Sequence, residues 1–219
     1  MGNFDAIWIY VIRSLMLLPG ILIGLTVHEY CHALVAHWCG DNTSKEQGRV
    51  TLNPLKHIDL YGFIMLMVVG FGWAKPVQFN ENNLRNPKID VIKIALAGPF
   101  SNALTAMFLS LILMLLAPVF ANLNSYSSSI IKDIFVWAIT INWGLFIFNL
   151  IPLPPLDGSH LLFYPFRKYP SVYNAVYKYG SLLLFGIIIF SIASKTNIIP
   201  IGHLMQSMTE GFLNFVGYY

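Results

Sequence analysis

The stretch LLPGILIGLTVHEYCHALVAHWCG, residues 17–40, decides the fold. It is apolar almost throughout, yet it holds His28, Glu29 and His32. Ionisable groups are costly in hydrocarbon, so an apolar run that keeps three of them marks function. On a helix, positions i and i+4 share a face. Two imidazoles spaced in that way can reach one metal ion, with Glu29 beside them as general base for a metal-activated water. HExxH is short and recurs by chance in soluble helices; its setting in an apolar run gives it weight here. The competing reading is a polar cluster that only glues helices together.

Outward from this stretch the chain stays apolar. Of its 219 residues, 56% are hydrophobic and 11% charged, against about 25% charged in a soluble domain. Lipid is the expected solvent, and a long disordered region is excluded. The net charge of +3 comes with no clustered basic face, which leaves no case for a nucleic-acid partner. Cys31 and Cys39 are too few for a disulfide framework and read as small apolar helix residues. The start, MGNFDAIWIY, has no basic n-region and carries Ala at position 6. It is expected to be retained and not acylated.

About 20 apolar residues cross a bilayer core. Residues 6–38 form one such stretch, in which Pro19-Gly20 is expected to cause a break or kink. One long kinked helix and two shorter ones both fit. Residues 40–57 read as a loop with short strand character near 49–52. The run IDLYGFIMLMVVGFGW, residues 58–73, is marginal for a crossing. Strong spans are expected over 91–119 and 130–151, separated by a Ser/Asn-rich loop at 120–129. Pro152, Pro154 and Pro155 end the second. A basic, aromatic connection at 164–178 leads to a last span over 180–193. The tail beyond Lys195 is weakly amphipathic and suited to the membrane surface.

Basic residues cluster in three loops, with Lys45, Arg49 and Lys56 in the first, Lys75, Arg85, Lys88 and Lys93 in the second, and Arg167, Lys168 and Lys178 in the third. Loop 120–129 has none. The positive-inside rule places the three basic loops in the cytoplasm. Two consecutive loops on one side require residues 58–73 to return to that side, which favours a re-entrant segment over a crossing. The expected fold is an all-α membrane protein, a polytopic transmembrane helix bundle of four to six membrane segments with a re-entrant segment or small β-hairpin. It is expected to form a single membrane-embedded unit over 1–219, with its catalytic core at about 20–160.

A catalytic zinc site needs a third protein ligand and an open position. Asp157, in NLIPLPPLDG at 149–158, is the leading candidate. The prolines keep this stretch extended, and irregular backbone at membrane depth must line protein or a wet cavity. An ordinary membrane-exit turn with a helix-capping Asp is the alternative.

Together, HEYCH at 28–32, ALAGPFSN at 95–102 and NLIPLPPLDG at 149–158 resemble the site-2 protease family of membrane metalloproteases, peptidase family M50. TLNP at 51–54 and GWAKPV at 72–77 look like its compact bacterial and archaeal branch. The resemblance covers roughly residues 20–160. It implies one Zn2+ held by His28, His32 and Asp157, with Glu29 as base and proton shuttle. Asn149 matches the position thought to orient substrate or stabilise the oxyanion. Gly98 and Asn102 match the middle motif near the cleft and are candidates for substrate binding. The alternatives are close helix packing for Gly98 and an interhelical hydrogen bond for Asn102.

The implied partners are a transmembrane protein or peptide substrate and the lipid bilayer, with the site toward the cytoplasm of a bacterial or archaeal cell membrane. Larger family members carry a PDZ or CBS domain, for which these 219 residues have no room. Segment 72–83 is a candidate edge to which an extended substrate could add as a strand. His57 and His160 are each candidates for a place near the site, with an interfacial position the stronger expectation for His57. His37 and His203 read as interfacial, and Trp8, Trp38, Trp73 and Tyr164 as interface anchors. A membrane metal transporter or sensor is the chief rival. It would want ligands on several spans and would have no need of Glu29.

Overall fold

The computed structural model describes residues 3–69, 72–122, 124–194, 196 and 200–218. Met1 and Gly2, residues 70 and 71 of the expected re-entrant run, Leu123 of the Ser/Asn-rich loop and Lys195 lie outside the described residues. The chain runs α1 (Asn3–Trp38), α2 (Thr43–Glu46), a 3-10 turn (Pro54–Lys56), α3 (Leu60–Val69), a 3-10 turn (Glu81–Asn83) and α4 (Pro87–Ala121). It continues through α5 (Ser125–Asn149), α6 (Ser159–Phe163), a 3-10 turn (Tyr164–Lys168), α7 (Pro170–Ser194) and α8 (Ile201–Phe215). No sheet forms among the described residues; one isolated antiparallel bridge joins Ile58 and Ala74.

Among the described residues four helices are long and apolar enough to cross a membrane, over Val11–Trp38, Pro87–Phe120, Ser125–Asn149 and Pro170–Ser191. Pro19 lies inside α1 without ending it, which decides for one long helix. Gly20 and Gly24 make this helix fit α5. A Cβ at Gly20 would lie 2.6 Å from the Ala138 Cα, and one at Gly24 2.7 Å from Leu145 Cδ1. Small residues at i and i+4 let two backbones approach where lipid gives no hydrophobic drive for helices to associate.

The ten residues of α3 rise about 15 Å, half a bilayer core. Lys75 N–H donates to the His57 carbonyl at 2.8 Å, so the chain rejoins itself where it left. The two ends of the segment lie side by side, the arrangement a re-entrant segment needs. Strand character at 49–52 is absent: Arg49 turns inward, and Asn53 caps the next turn through Leu55 N–H at 3.1 Å.

Helices α1, α4 and α5 pack on one another, and α8 adds to α4 and α5. The main apolar core joins Ala106, Leu113, Ile139, Trp143 and Leu213. The tail packs on the bundle through one face. Thr209 bonds Thr140 at 3.1 Å, and Met205 lies against Gly144, so α8 runs antiparallel along the middle of α5. The residues from 170 to 178 form the first turns of α7, with Pro170 suited to a first helical position. On α4, Leu104, Phe108, Leu111 and Leu115 stand exposed at helical spacing, an open apolar stripe that fits a lipid-facing helix.

Candidate functional site

His28 and His32 are adjacent turns of α1, both buried. Their Nε2 atoms stand 3.0 Å apart. Each ring's other nitrogen is committed elsewhere. His32 Nδ1 reaches the Ile94 carbonyl at 2.6 Å, which can only accept, so the proton sits on Nδ1. His28 Nδ1 pairs with Asn102 Oδ1 at 2.7 Å. In the neutral imidazoles both Nε2 atoms are then lone pairs that face each other, an arrangement that a bound cation relieves.

Asp157 reaches them because α5 stops at Asn149 and the prolines bring the chain back over its end. Gly158 N–H donates to the Asn149 carbonyl at 2.7 Å. A Cβ at Gly158 would lie 2.4 Å from the Leu150 oxygen, so a side chain there would push the loop away. The fold aims Asp157 Oδ2 to 3.1 Å from His28 Nε2 and 3.3 Å from His32 Nε2. That oxygen is buried and has no hydrogen-bond donor. The helix-capping alternative fails, since no side chain caps α6.

Three ligand atoms within 3.3 Å of one another suit a single ion at zinc-ligand lengths of about 2.0–2.2 Å. The same three form the one such group of His, Cys, Asp or Glu among the described residues. A Cβ at Gly98 would come within 2.4 Å of His32 Nε2 and 2.6 Å of His28 Nε2. Only hydrogen there leaves the imidazoles their places.

A cleft of about 510 Å³ opens over these groups, with Glu29, Asn149 and His160 on its wall and Leu25, Leu145, Phe148 and Leu184 as apolar lining. Neither Gly98 nor Asn102 lines this cleft. Asn102 is fully buried and bonds between helices, while Gly98 packs against the rings; the structure favours the alternatives to substrate binding for both. One N–H of Asn149 donates to the Leu145 carbonyl at 3.0 Å. His160 Nδ1 meets Tyr177 Oη at 3.3 Å.

Glu29 faces an extended strap at 74–80. Its Oε2 accepts from Val77 N–H at 2.9 Å and lies 4.0 Å from Arg49 Nη2. Arg49, read from sequence only as a loop charge, is buried. It donates to the Lys56 carbonyl at 2.5 Å and to the Lys75 carbonyl. Ser44 Oγ donates to the Gln78 carbonyl at 2.5 Å. Asp41, also unremarked in the sequence, accepts from Asn80 N–H and Asn83 Nδ2, each at 2.8 Å. Burial alone would raise its carboxyl; these donors and Thr43 hold it below the usual range.

His57 turns into the protein. It is fully buried, with Nε2 donating to the Thr51 carbonyl at 2.7 Å. Burial pushes its pKa down, and Arg49 adds to that against the opposing pull of the carbonyl.

A family model for peptidase family M50 matches residues 16–191. Among curated sequences the chain is similar to YwhC of Bacillus subtilis, named as a candidate zinc metalloprotease. The two are 40% identical over 159 residues, 71% of this chain and 72% of the relative. It also resembles Rip2 of Mycolicibacterium smegmatis, at 30% identity over 68% of this chain and 56% of the relative. MJ0611 of Methanocaldococcus jannaschii is 28% identical over 64% of each. Both are named in the same way as YwhC. No solved structure matches.

Proposed function

The chain belongs to peptidase family M50 and is a zinc metalloprotease, and on that premise we propose that it hydrolyses peptide bonds in or near the transmembrane segments of other membrane proteins. The observation that supports this most is the convergence of His28 Nε2, His32 Nε2 and Asp157 Oδ2 within 3.3 Å of one another, with Glu29 beside them. His32 lies six residues before the end of α1 at Trp38, about 9 Å along the axis. An apolar-walled cleft at that depth suits a substrate that arrives through lipid.

In this reading His28, His32 and Asp157 hold one zinc ion per chain. Zinc, when bound, supplies the Lewis acidity that lets water attack an amide at neutral pH. Glu29 takes the proton of the attacking water and passes it to the leaving amine. Val77 N–H and Arg49 fix the direction of the Glu29 carboxylate. Asn149 keeps one N–H for the carbonyl oxygen as it gains charge, help worth about 3 kcal/mol when well aimed. The extended strap at 74–80, beside Glu29, is where an extended peptide would add as a strand. Helical peptide bonds are shielded, so holding the substrate extended exposes the bond to be cut.

All three basic loops lie at the end of the bundle that holds the site, which supports a cytoplasmic active site by the positive-inside rule. Regulated cleavage of membrane-bound proteins fits this placement.

The test is cleavage of a transmembrane peptide by protein purified in detergent, with zinc measured on the same samples. Glu29→Gln should keep its zinc and lose about 10²-fold or more in rate. Asp157→Asn should lose zinc as well. Glu29→Gln cleaving at the wild-type rate would overturn the assignment of the base, and a metal carrier would still pass metal in that variant.

A further inference from the structure

Two primary amides lie fully buried between the spanning helices, Asn102 on α4 and Asn142 on α5. An unpaired amide there is costly, and each bond these two make has a forced direction. Asn142 Nδ2 donates to the Ala138 carbonyl at 2.8 Å. A carbonyl only accepts, so Asn142 Oδ1 must face the other way, toward Asn102. Asn102 Nδ2 donates to that oxygen at 3.1 Å and to the Gly24 carbonyl at 3.0 Å. Two groups that can only accept thus fix the Asn102 amide. Its Oδ1 is left toward His28 Nδ1, 2.7 Å away, and that nitrogen must carry the proton.

A neutral imidazole holds its proton on either nitrogen, and the partner of one nitrogen decides the state of the other. We propose that Asn142 and Asn102 are positioning residues for metal capture: Asn142 orients Asn102, and Asn102 keeps the His28 proton on Nδ1, so that Nε2 offers its lone pair to the metal. This rests on His28 being a ligand. The relay starts on α5, passes through α4 and ends on α1. It is complete only when the three helices are packed, and Gly24 allows that packing, since a Cβ there would stand 3.2 Å from Asn142 Oδ1. Simple interhelical glue would stabilise the bundle without touching zinc affinity, which separates the two ideas.

Full-length protein in detergent is stripped with a chelator and titrated with Zn2+ against a chromophoric competitor, and its metal-free melting temperature is recorded. Asn102→Leu should weaken zinc about tenfold to a hundredfold, the usual cost of losing a ligand's outer partner. Asn142→Leu should weaken zinc by less, and the double variant no more than Asn102→Leu alone. Asn142→Asp should restore affinity, because a carboxyl kept neutral by burial still accepts from Asn102 and donates to Ala138.

A folded Asn102→Leu within about twofold of wild type, or a double variant in which the two losses simply add, would overturn the relay. If Asn102→Leu does not fold, equal losses in Asn142→Leu and Asn142→Asp overturn it instead, and rescue by the latter supports it. His28→Ala separates the premises. Lost zinc there with intact affinity in the asparagine variants removes the relay alone, whereas intact affinity in His28→Ala removes the ligand assignment and the relay with it.

Discussion

At the scale of the residue, the centre depends on a side chain that is not there. Any Cβ at position 98 would stand within 2.6 Å of both Nε2 atoms, and the rings cannot retreat because each Nδ1 is bonded. Gly98→Ala should therefore lose most of its zinc, at an overpacking cost of about 1–3 kcal/mol. Gly186→Ala, with nothing within 4 Å of the added carbon, should match wild type; metal analysis of the two purified variants checks this. His28, Glu29 and His32 were legible because their spacing is a local property of one helix. Asp157 was legible only in part. Its proline-rich turn announced irregular backbone, but a capping role fitted the same letters until the fold brought the carboxylate to the rings. Arg49, Asp41 and Asn142 were not legible, because their partners lie far away in sequence: Asn142 meets Asn102 across 40 residues, and Asp41 meets Asn83 across 42.

At the scale of the element, the long helices α1, α4 and α5 follow from apolar length alone, which is why their spans could be read within a few residues. The errors fall where length and hydrophobicity say little. Helix α7 starts at Pro170, ten residues before the span expected from the sequence, because basic and aromatic letters look like a loop; an aromatic pair at Tyr173 and Tyr177, with ring centroids 4.6 Å apart, instead packs at i and i+4 on the helix. The tail's amphipathic face, suited by sequence to the membrane surface, has a protein partner in α5. The loop that carries Arg49 and His57 forms the back of the strap over Glu29, and it should respond to acid. His57 titrates below its ordinary 6.5 in the folded state, so the unfolded chain binds its proton first. Stability from this group is complete above about pH 6.5 and is lost as pH falls from there through the folded value. The melting temperature of metal-free protein should fall between pH 7.5 and 5. His57→Gln should flatten that fall, and an unchanged slope in the variant would remove His57 as its source.

At the scale of the whole molecule, the bundle brings together at one end groups that begin far apart. Helix α1 supplies two imidazoles, the turn after α5 supplies a carboxylate, and the strap before α4 holds Glu29 in place. Lipid-facing stripes such as that of α4 leave the interior as the place for polar bonds, and the described bonds of Asn102 and Asn142 lie there. The convergence is tested most directly by zinc-edge X-ray absorption on the purified protein and on Asp157→Ala. Two imidazole nitrogens and oxygen ligands at about 2.0–2.2 Å are predicted, with one oxygen lost in the variant. A sulfur neighbour at about 2.3 Å, or a spectrum that Asp157→Ala leaves unchanged, would contradict it.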